Sequence, residues 1–394
     1  MTSSTGPGAT VAAGVLELRE VTKRYARAGR PAVDGLTLTV PAGKVCVLIG
    51  PSGCGKTTAM KMVNRLIEPT AGEILIDGTD VRRLPAAQLR RRIGYVIQQV
   101  GLLPHLTVAA NVATVPRLLG WDRDRTGARV EELLALVGLP AEEYARRYPA
   151  ELSGGQQQRV GLARALAADP PLMLMDEPFS AVDPITRERL QNDFLRLHRQ
   201  VPKTVVFVSH DIDEAVKMAD LVAVMRDGRL VQFAPPAELL AHPVDDFVAD
   251  FVGADRALKG LGLTRLEEIP LLPAPAITSG TAADAVHARV AAGDLAPLEG
   301  ALLVVDGDGR PLRWLHRDRL SGTVPAGPPT VEPVLDQVST LRDALSALFE
   351  ANAAYGVVVD GAGRCTGLVG VHEITGVLRG PGAEDRVLAE SRDG

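Results

Sequence analysis

Short apolar runs punctuate the first two thirds of the chain. Val45-Cys46-Val47-Leu48-Ile49, Leu172-Met173-Leu174-Met175 and Val205-Val206-Phe207-Val208 carry no polar face. That is the pattern of strands buried on both sides of a parallel sheet. A further strand is expected at Val222, and residues Leu16 to Val40 read as two antiparallel strands. From about Leu102 to Ala167 the spacing predicts a helical subdomain, and Ala237 to Phe251 closes this first domain. Strands that alternate with helices imply an α/β fold around a parallel sheet.

A second pattern follows a stretch holding Pro270, Pro273 and Pro275. Leu341, Ala344, Leu345, Leu348 and Phe349 fall on one helical face. Val304-Val305-Asp306-Gly307-Asp308-Gly309-Arg310 recurs 54 positions later as Val358-Val359-Asp360-Gly361-Ala362-Gly363-Arg364. Each copy reads as strand, Asp-Gly turn and strand. A helix is expected near Glu373 to Leu378. The boundaries predicted are a tail over 1–14, a first domain over 15–254, a linker over 255–276, a repeated α+β pair over 277–379 with a divergent first copy, and a flexible tail over 380–394.

The chemistry concentrates at the ends of the apolar runs. Gly50-Pro51-Ser52-Gly53-Cys54-Gly55-Lys56-Thr57 is a complete G-x-x-x-x-G-K-[ST] phosphate loop. Its glycines let backbone N–H groups turn inward around phosphates, and a helix starting near Lys56 points its positive end at the anion. Lys56 supplies a point charge to the β/γ oxygens, the Thr57 hydroxyl suits Mg²⁺, and Thr58 adds a phosphate contact. Behind Leu172–Met175 stand Asp176, placed to hold Mg²⁺ through water, and Glu177, the candidate general base.

With Leu152-Ser153-Gly154-Gly155-Gln156 these strings carry a resemblance. Over residues 15 to 254 the chain resembles the ATP-binding subunit of an ABC transporter, a P-loop NTPase fold. The resemblance implies ATP and Mg²⁺ as cofactors and assigns further residues. Tyr25 matches the aromatic that stacks on adenine. Gln98 matches the glutamine that reaches Mg²⁺ and the attacking water. Ser153, Gly154, Gly155 and Gln156 match the signature that caps ATP on the opposite subunit. Ser180-Ala181-Val182-Asp183 matches the loop that crosses the dimer interface, with Val182 where the family usually has Leu. His210 matches the switch histidine that contacts the γ-phosphate. Two subunits placed head to tail would sandwich two nucleotides and open after hydrolysis.

The repeated pair resembles a tandem of CBS modules. The positions at which many such pairs hold adenosine compounds are here Gly370 and Glu373 in the second copy, and His316 and Arg319 in the first. Gly370 lacks a hydroxyl and Arg319 reverses the charge, so ordinary AMP or ATP binding is not expected there. An ABC ATPase followed by such a pair is similar to the ATPases of bacterial importers for glycine betaine, carnitine, choline and proline. The strings Gly94-Tyr95-Val96-Ile97-Gln98-Gln99, Gly101-Leu102-Leu103-Pro104-His105 and Phe251-Val252-Gly253-Ala254 agree. The implied partners are a second ATPase subunit, transmembrane permease subunits that meet the segment Gln99–His105, and indirectly an extracytoplasmic solute-binding protein. The implied place is the cytoplasmic face of the plasma membrane. Methionine, polyamine or sugar importers, and non-transport ABC ATPases, stand as alternatives.

Composition narrows the field. The chain has 394 residues, 46% hydrophobic content and a formal net charge of −5, which argues against a nucleic-acid partner. Mean hydropathy is near zero, and no run of 18 apolar residues predicts a spanning helix. Met1-Thr2-Ser3-Ser4-Thr5-Gly6-Pro7 lacks the basic and apolar regions of a secretory signal. Cys46, Cys54 and Cys365 are scattered and odd in number, which suggests a reducing compartment without disulfides. A long coiled coil or a second ATPase half, expected of the non-transport enzymes, is missing from the pattern.

Overall fold

The computed structural model describes residues 13–26, 29–97, 101–180 and 182–379. It divides into two units between Gly253 and Ala254. Both predicted tails fall largely outside the described residues, as does Gln98. Among the described residues no helix is long and apolar enough to cross a membrane.

The first unit contains two sheets. β1 (Leu16–Lys23), β2 (Val33–Val40), β4 (Ala71–Ile76) and β5 (Thr79–Asp80) form an antiparallel sheet in the order β2-β1-β4-β5. In β2, Leu36, Leu38 and Val40 are buried while Thr37 and Thr39 face out, the alternation of a half-buried strand. The second sheet runs β10-β9-β3-β8-β7-β6, built from β3 (Val45–Ile49), β6 (Ile93–Val96), β7 (Leu172–Asp176), β8 (Thr204–Val208), β9 (Leu221–Arg226) and β10 (Arg229–Ala234). All its pairs are parallel except β9 with β10. Every residue of β3 and β8 is buried, as their unbroken apolar sequence requires.

The register of the central strands positions the site. Val208 in β8 lies opposite Leu48 in β3 and opposite Asp176 in β7. The chain therefore leaves β3 at Gly50, β7 at Glu177 and β8 at Ser209 along one edge, where α/β sheets bind ligands.

The helical stretch has the expected extent, with helices at Val108–Val112, Thr114–Leu118, Arg123–Leu136, Ala141–Tyr144 and Gly154–Leu166. Asn111 is fully buried at its root. Its side chain accepts from the Leu103 amide at 2.8 Å and donates to the carbonyls of Leu103, Leu106 and Thr107. Arg164 donates to the Gly101 carbonyl at 2.6 Å. These bonds fix the loop that leads into the subdomain.

The second unit repeats itself in backbone detail. β11 (Ala276–Thr278), β12 (Ala301–Val305) and β13 (Pro311–His316) form one sheet; β14 (Val334–Asp336), β15 (Tyr355–Val359) and β16 (Cys365–Gly370) form the other. Ala301 pairs with His316 as Tyr355 pairs with Gly370, and both hairpins shift register after the fourth pair. At the turns, Asp306 Oδ1 accepts from the amides of Asp308 and Arg310, and Asp360 Oδ1 from those of Ala362 and Arg364, all at 2.9 Å. The copies differ after the hairpin. The second continues into the helix Val371–Arg379, the first into one 3₁₀ turn at Arg317–Arg319.

The linker expected over 255–276 is corrected by the structure. It holds the helix Arg256–Leu261 and a 3₁₀ turn at Leu266–Glu268. Leu261 and Leu266 are buried in one core with Leu341, Leu348 and Ile374. The Leu266 and Glu267 amides donate to Ser339 and Gln337, and Leu272 exchanges both backbone bonds with Leu368. The prolines mask an apolar spacing that the second unit needs to close its core. The Arg90–Arg92 run ends the helix Ala86–Arg91 with Arg90 and Arg92 exposed, and Arg90 donates to the carbonyls of Asn64 and Arg65.

If this stretch is core, Leu266→Ala should destabilise the second unit by about 2–5 kcal/mol, the range for a buried leucine truncation. Thermal unfolding and faster amide exchange at Leu266, Glu267 and Leu272 would register it. A free linker would show neither.

Candidate functional site

The loop after β3 is shaped by positions that only glycine can occupy. Gly50 has φ 142 and Gly55 φ 104. A Cβ on Gly50 would lie 2.1 Å from the Met225 carbonyl oxygen, and one on Gly55 2.3 Å from that of Ala32. Both approaches are below any tolerable contact. The helix Lys56–Val63 starts directly behind Gly55. Lys56 is buried, with its Nζ 2.6 Å from the Gly50 carbonyl and 3.0 Å from that of Pro51. The ammonium thus sits inside the turn it belongs to. Gly53 adopts φ 79. The loop from Ser52 to Thr58 lines an open cleft of about 490 Å³, and Glu177 and His210 complete its wall.

Parallel pairing brings the acids to this loop. Thr57 Oγ1 donates to Asp176 Oδ1 at 3.3 Å. Burial pushes the Asp176 carboxyl above its ordinary value, and the Glu177 charge adds to this; the Thr57 bond, Lys61 and Lys56 oppose it. Tyr95 on β6 is pushed up to about 12, first by burial and then by the Asp176 charge. Glu177 holds φ 46, a left-handed conformation that costs a non-glycine residue about 1–2 kcal/mol. Its amide donates to the Val208 carbonyl at 3.1 Å, and its own carbonyl accepts from Ser180 Oγ at 3.0 Å. These bonds hold the strained turn, and the carboxylate lies 3.5 Å from His210 Nδ1.

Other residues singled out from sequence lie outside this cleft. Ser153 caps the helix Gly154–Leu166 in a reciprocal box: the Gln156 amide donates to Ser153 Oγ at 3.3 Å, and the Ser153 amide to Gln156 Oε1 at 2.9 Å. Ser153 and Gly154 are exposed. Asp183 caps the helix Pro184–Gln200 by accepting from the Thr186 amide at 3.1 Å, and the Thr186 hydroxyl together with that amide holds its carboxyl below the ordinary range. A Cβ on Gly155 would meet Thr186 Cγ2 at 3.1 Å, so these two helix starts adjoin. Tyr25 is 44% exposed, with Lys23 Nζ 5.3 Å from its ring centre.

Sequence reading missed a buried polar cluster behind His210. Ser209 Oγ donates to Glu214 Oε2, and Gln191 Nε2 donates to Glu214 Oε1 at 3.2 Å. The only local signal was Asp211 with Glu214 three positions on, the spacing of a helix start. Asp211 does cap the helix Ile212–Met218, but Glu214 turns to Ser209 instead. Nothing in the pattern places Gln191 against it.

The Asp176 environment yields a stability prediction. A carboxyl that titrates higher folded than unfolded favours the fold below about pH 4, and that contribution is lost as pH rises through the folded value. Asp176→Asn should therefore raise the Tm of the nucleotide-free protein at pH 7, and the gain should shrink toward pH 4. Calorimetry across that range would show a gain without pH dependence if burial were not the cause.

Comparison with known proteins agrees with this geometry. A family model described as ABC transporter matches residues 33–180. The osmoprotectant import ATP-binding protein OsmV of Salmonella typhimurium is 47% identical over 359 residues, covering 90% of this chain and 93% of the relative. The carnitine transport ATP-binding protein OpuCA of Listeria monocytogenes is 53% identical over 245 residues, covering 62% of this chain and 61% of that protein. Among solved structures, the ATP-binding cassette MJ0796, a dimer in a post-hydrolysis state bound to ADP and Pi, matches at 34% identity and a TM-score of 0.50, covering 56% of this chain and 98% of that one. The chain belongs to the ATP-binding, ATP-hydrolysing subunits of ABC transporters, in their osmoprotectant-import family.

Proposed function

We propose that this subunit powers uptake of a betaine- or carnitine-class quaternary amine by closing on ATP as a head-to-tail pair. One observation carries the reading. The phosphate loop, Glu177 and His210 share one cleft, while the capped helix start, exposed at Ser153 and Gly154, does not line it. A helix N-terminus favours anions, and in a second copy it would meet the γ-phosphate from the open side of the cleft. The relatives named for osmoprotectant and carnitine transport support the cargo class.

Within the cleft each residue takes a role that its surroundings suit. Loop amides and Lys56 bind the β/γ-phosphates. Ser153, Gly154, Gly155 and Gln156 of the opposite copy cap them, and Asp183 stands at the copy interface. Tyr25 offers an exposed ring for adenine. Thr57 and Asp176 offer two oxygens 3.3 Å apart, and no group of three or more His, Cys, Asp or Glu gathers among the described residues. That fits Mg²⁺, which takes one or two protein oxygens and fills its shell with phosphate and water. When bound, the ion neutralises charge on the phosphates. Glu177 accepts the proton of the attacking water, and His210 contacts the γ-phosphate. Permease subunits at the cytoplasmic membrane face engage the loop before Val108, which Asn111 and Arg164 hold in shape. The repeated second unit is read as a tandem CBS regulator.

Glu177→Gln removes the proton acceptor and keeps the shape. Turnover should fall by about 10²–10⁴-fold, the scale for losing a general base, with ATP affinity retained and an ATP-bound dimer accumulating on a sizing column. Hydrolysis within about threefold of wild type would remove Glu177 from the role. Uptake of labelled betaine, carnitine and choline by the assembled transporter would identify the cargo. Deleting residues 254–394 should leave its ATP hydrolysis and remove its response to ionic strength; an unchanged salt threshold would make the second unit an assembly element.

A further inference from the structure

His210 has little of its own to hold it in place. Its side chain is 63% exposed, and its charged contact is Glu177 at 3.5 Å. Its aim into the cleft is therefore set by the backbone of Ser209–Asp211. That backbone is fixed at two points. The Ser209 amide donates to the Leu48 carbonyl of β3 at 3.1 Å. The Ser209 hydroxyl is gripped from behind, accepting from the Asp211 amide at 3.0 Å and donating to Glu214 Oε2.

Glu214 is an expensive residue to keep there. It is buried, and burial raises its carboxyl above the ordinary value; the bonds from Ser209 and Gln191 oppose that rise. Gln191, also buried, donates to its second oxygen at 3.2 Å. Gln191 stands on the helix Pro184–Gln200, the helix that Asp183 caps. A second tie runs the same way, from Arg187 on that helix to Asp211 at 4.0 Å. Arg187 is itself anchored by donating to the Phe179 carbonyl at 3.2 Å.

We propose that Glu214 is a positioning residue for His210. Through Gln191 it also ties the His210 turn to the helix behind Asp183. The chain of contacts runs Asp183 cap, helix, Gln191, Glu214, Ser209, His210. A displacement at the proposed copy interface would reach the γ-phosphate contact through the helix, the Gln191–Glu214 and Ser209–Glu214 hydrogen bonds and the Ser209–His210 backbone. The proposal rests on the reading of His210 given above.

The test is a double-mutant cycle in the full chain, read as kcat and KM for ATP. A misplacement of about 1 Å costs about 10²-fold in rate, so Glu214→Ala should lower kcat by about 10- to 100-fold. KM should stay within about threefold, because the loop and Lys56 are untouched. Glu214→Gln keeps a carbonyl for Gln191 and an amide for Ser209 Oγ, whose hydroxyl can turn to the Asp211 carbonyl at 3.4 Å. It should restore kcat to within about threefold. In the His210→Ala background, Glu214→Ala should change kcat by less than about twofold, since residues that act through one another are not additive. Ser209→Ala, a gentler change, should lose a smaller factor and also lose it only when His210 is present.

Equal losses from Glu214→Ala with and without His210 would overturn the proposal. So would a Gln variant as poor as the Ala variant, or wild-type kcat in Glu214→Ala. If His210→Ala itself turned over normally, the reading of His210 would fail first, and the single Glu214 variants would show separately whether that residue matters.

Discussion

Val208 pairs sideways in two directions, opposite Leu48 of β3 and opposite Asp176 of β7. Because all three strands run parallel, their ends coincide on one edge. A slip of one residue in the β7–β8 pairing would turn Asp176 to the other face of the sheet and move Glu177 off the Val208 carbonyl that fixes it. The phosphate loop needs its glycines, but a loop alone is an anion nest. The register sets an acid, a strained glutamate and a histidine around it. Burial of β3 and β8 on both faces makes that register costly to change.

The same burial loads the site. Burial raises the Asp176 carboxyl above its ordinary value, Glu177 is held left-handed, and Glu214 is a buried acid. Each costs stability: Asp176 ends β7, Glu177 follows it, and Glu214 lies in the helix after β8. Local strain of this kind persists where surrounding structure over-determines it. Here the surroundings are backbone bonds from Glu177 to Val208 and from Ser209 to Leu48. The protein thus keeps its least comfortable residues next to its most rigid strands.

What could be read from sequence follows from what is local. The loop Gly50–Thr57, the acids after β7 and the capped start at Ser153 depend on residues within a few positions of one another, so spacing reveals them. The six-stranded order, with β3 between β8 and β9, joins residues far apart in the chain. The alternation of strands and helices implied a parallel sheet without its order. The Gln191–Glu214 contact spans 23 positions and uses residue types that elsewhere face solvent. The stretch 255–276 was misread because prolines resemble a linker, while Leu261 and Leu266 pair with leucines some 80 positions on. The Arg164 clamp failed to show for the same reason: one polar side chain reaches a carbonyl 63 positions away.

The second unit separates what a duplication keeps from what it lets go. Both hairpins retain the same pairing, the same register shift and the same aspartate-gripped turn, because these define the backbone. The two turns also bind each other, Arg310 donating to the Ala362 carbonyl and the Cys365 amide to the Gly309 carbonyl. The residues after the hairpins are under no such demand, and there the copies part. In the second copy Glu373 Oε2 accepts from the Gly370 amide at 3.0 Å, so its acid is committed to its own helix start. In the first copy His316 lies 3.2 Å from Asp318, where a Cβ on Gly300 would be only 2.7 Å from the His316 ring. Polar groups already engaged with their own chain are poor receptors for a nucleoside, because a ligand would have to displace a bond that is already made. The symmetry of the backbone therefore serves the fold of the unit, while the residues that follow each hairpin are free to differ.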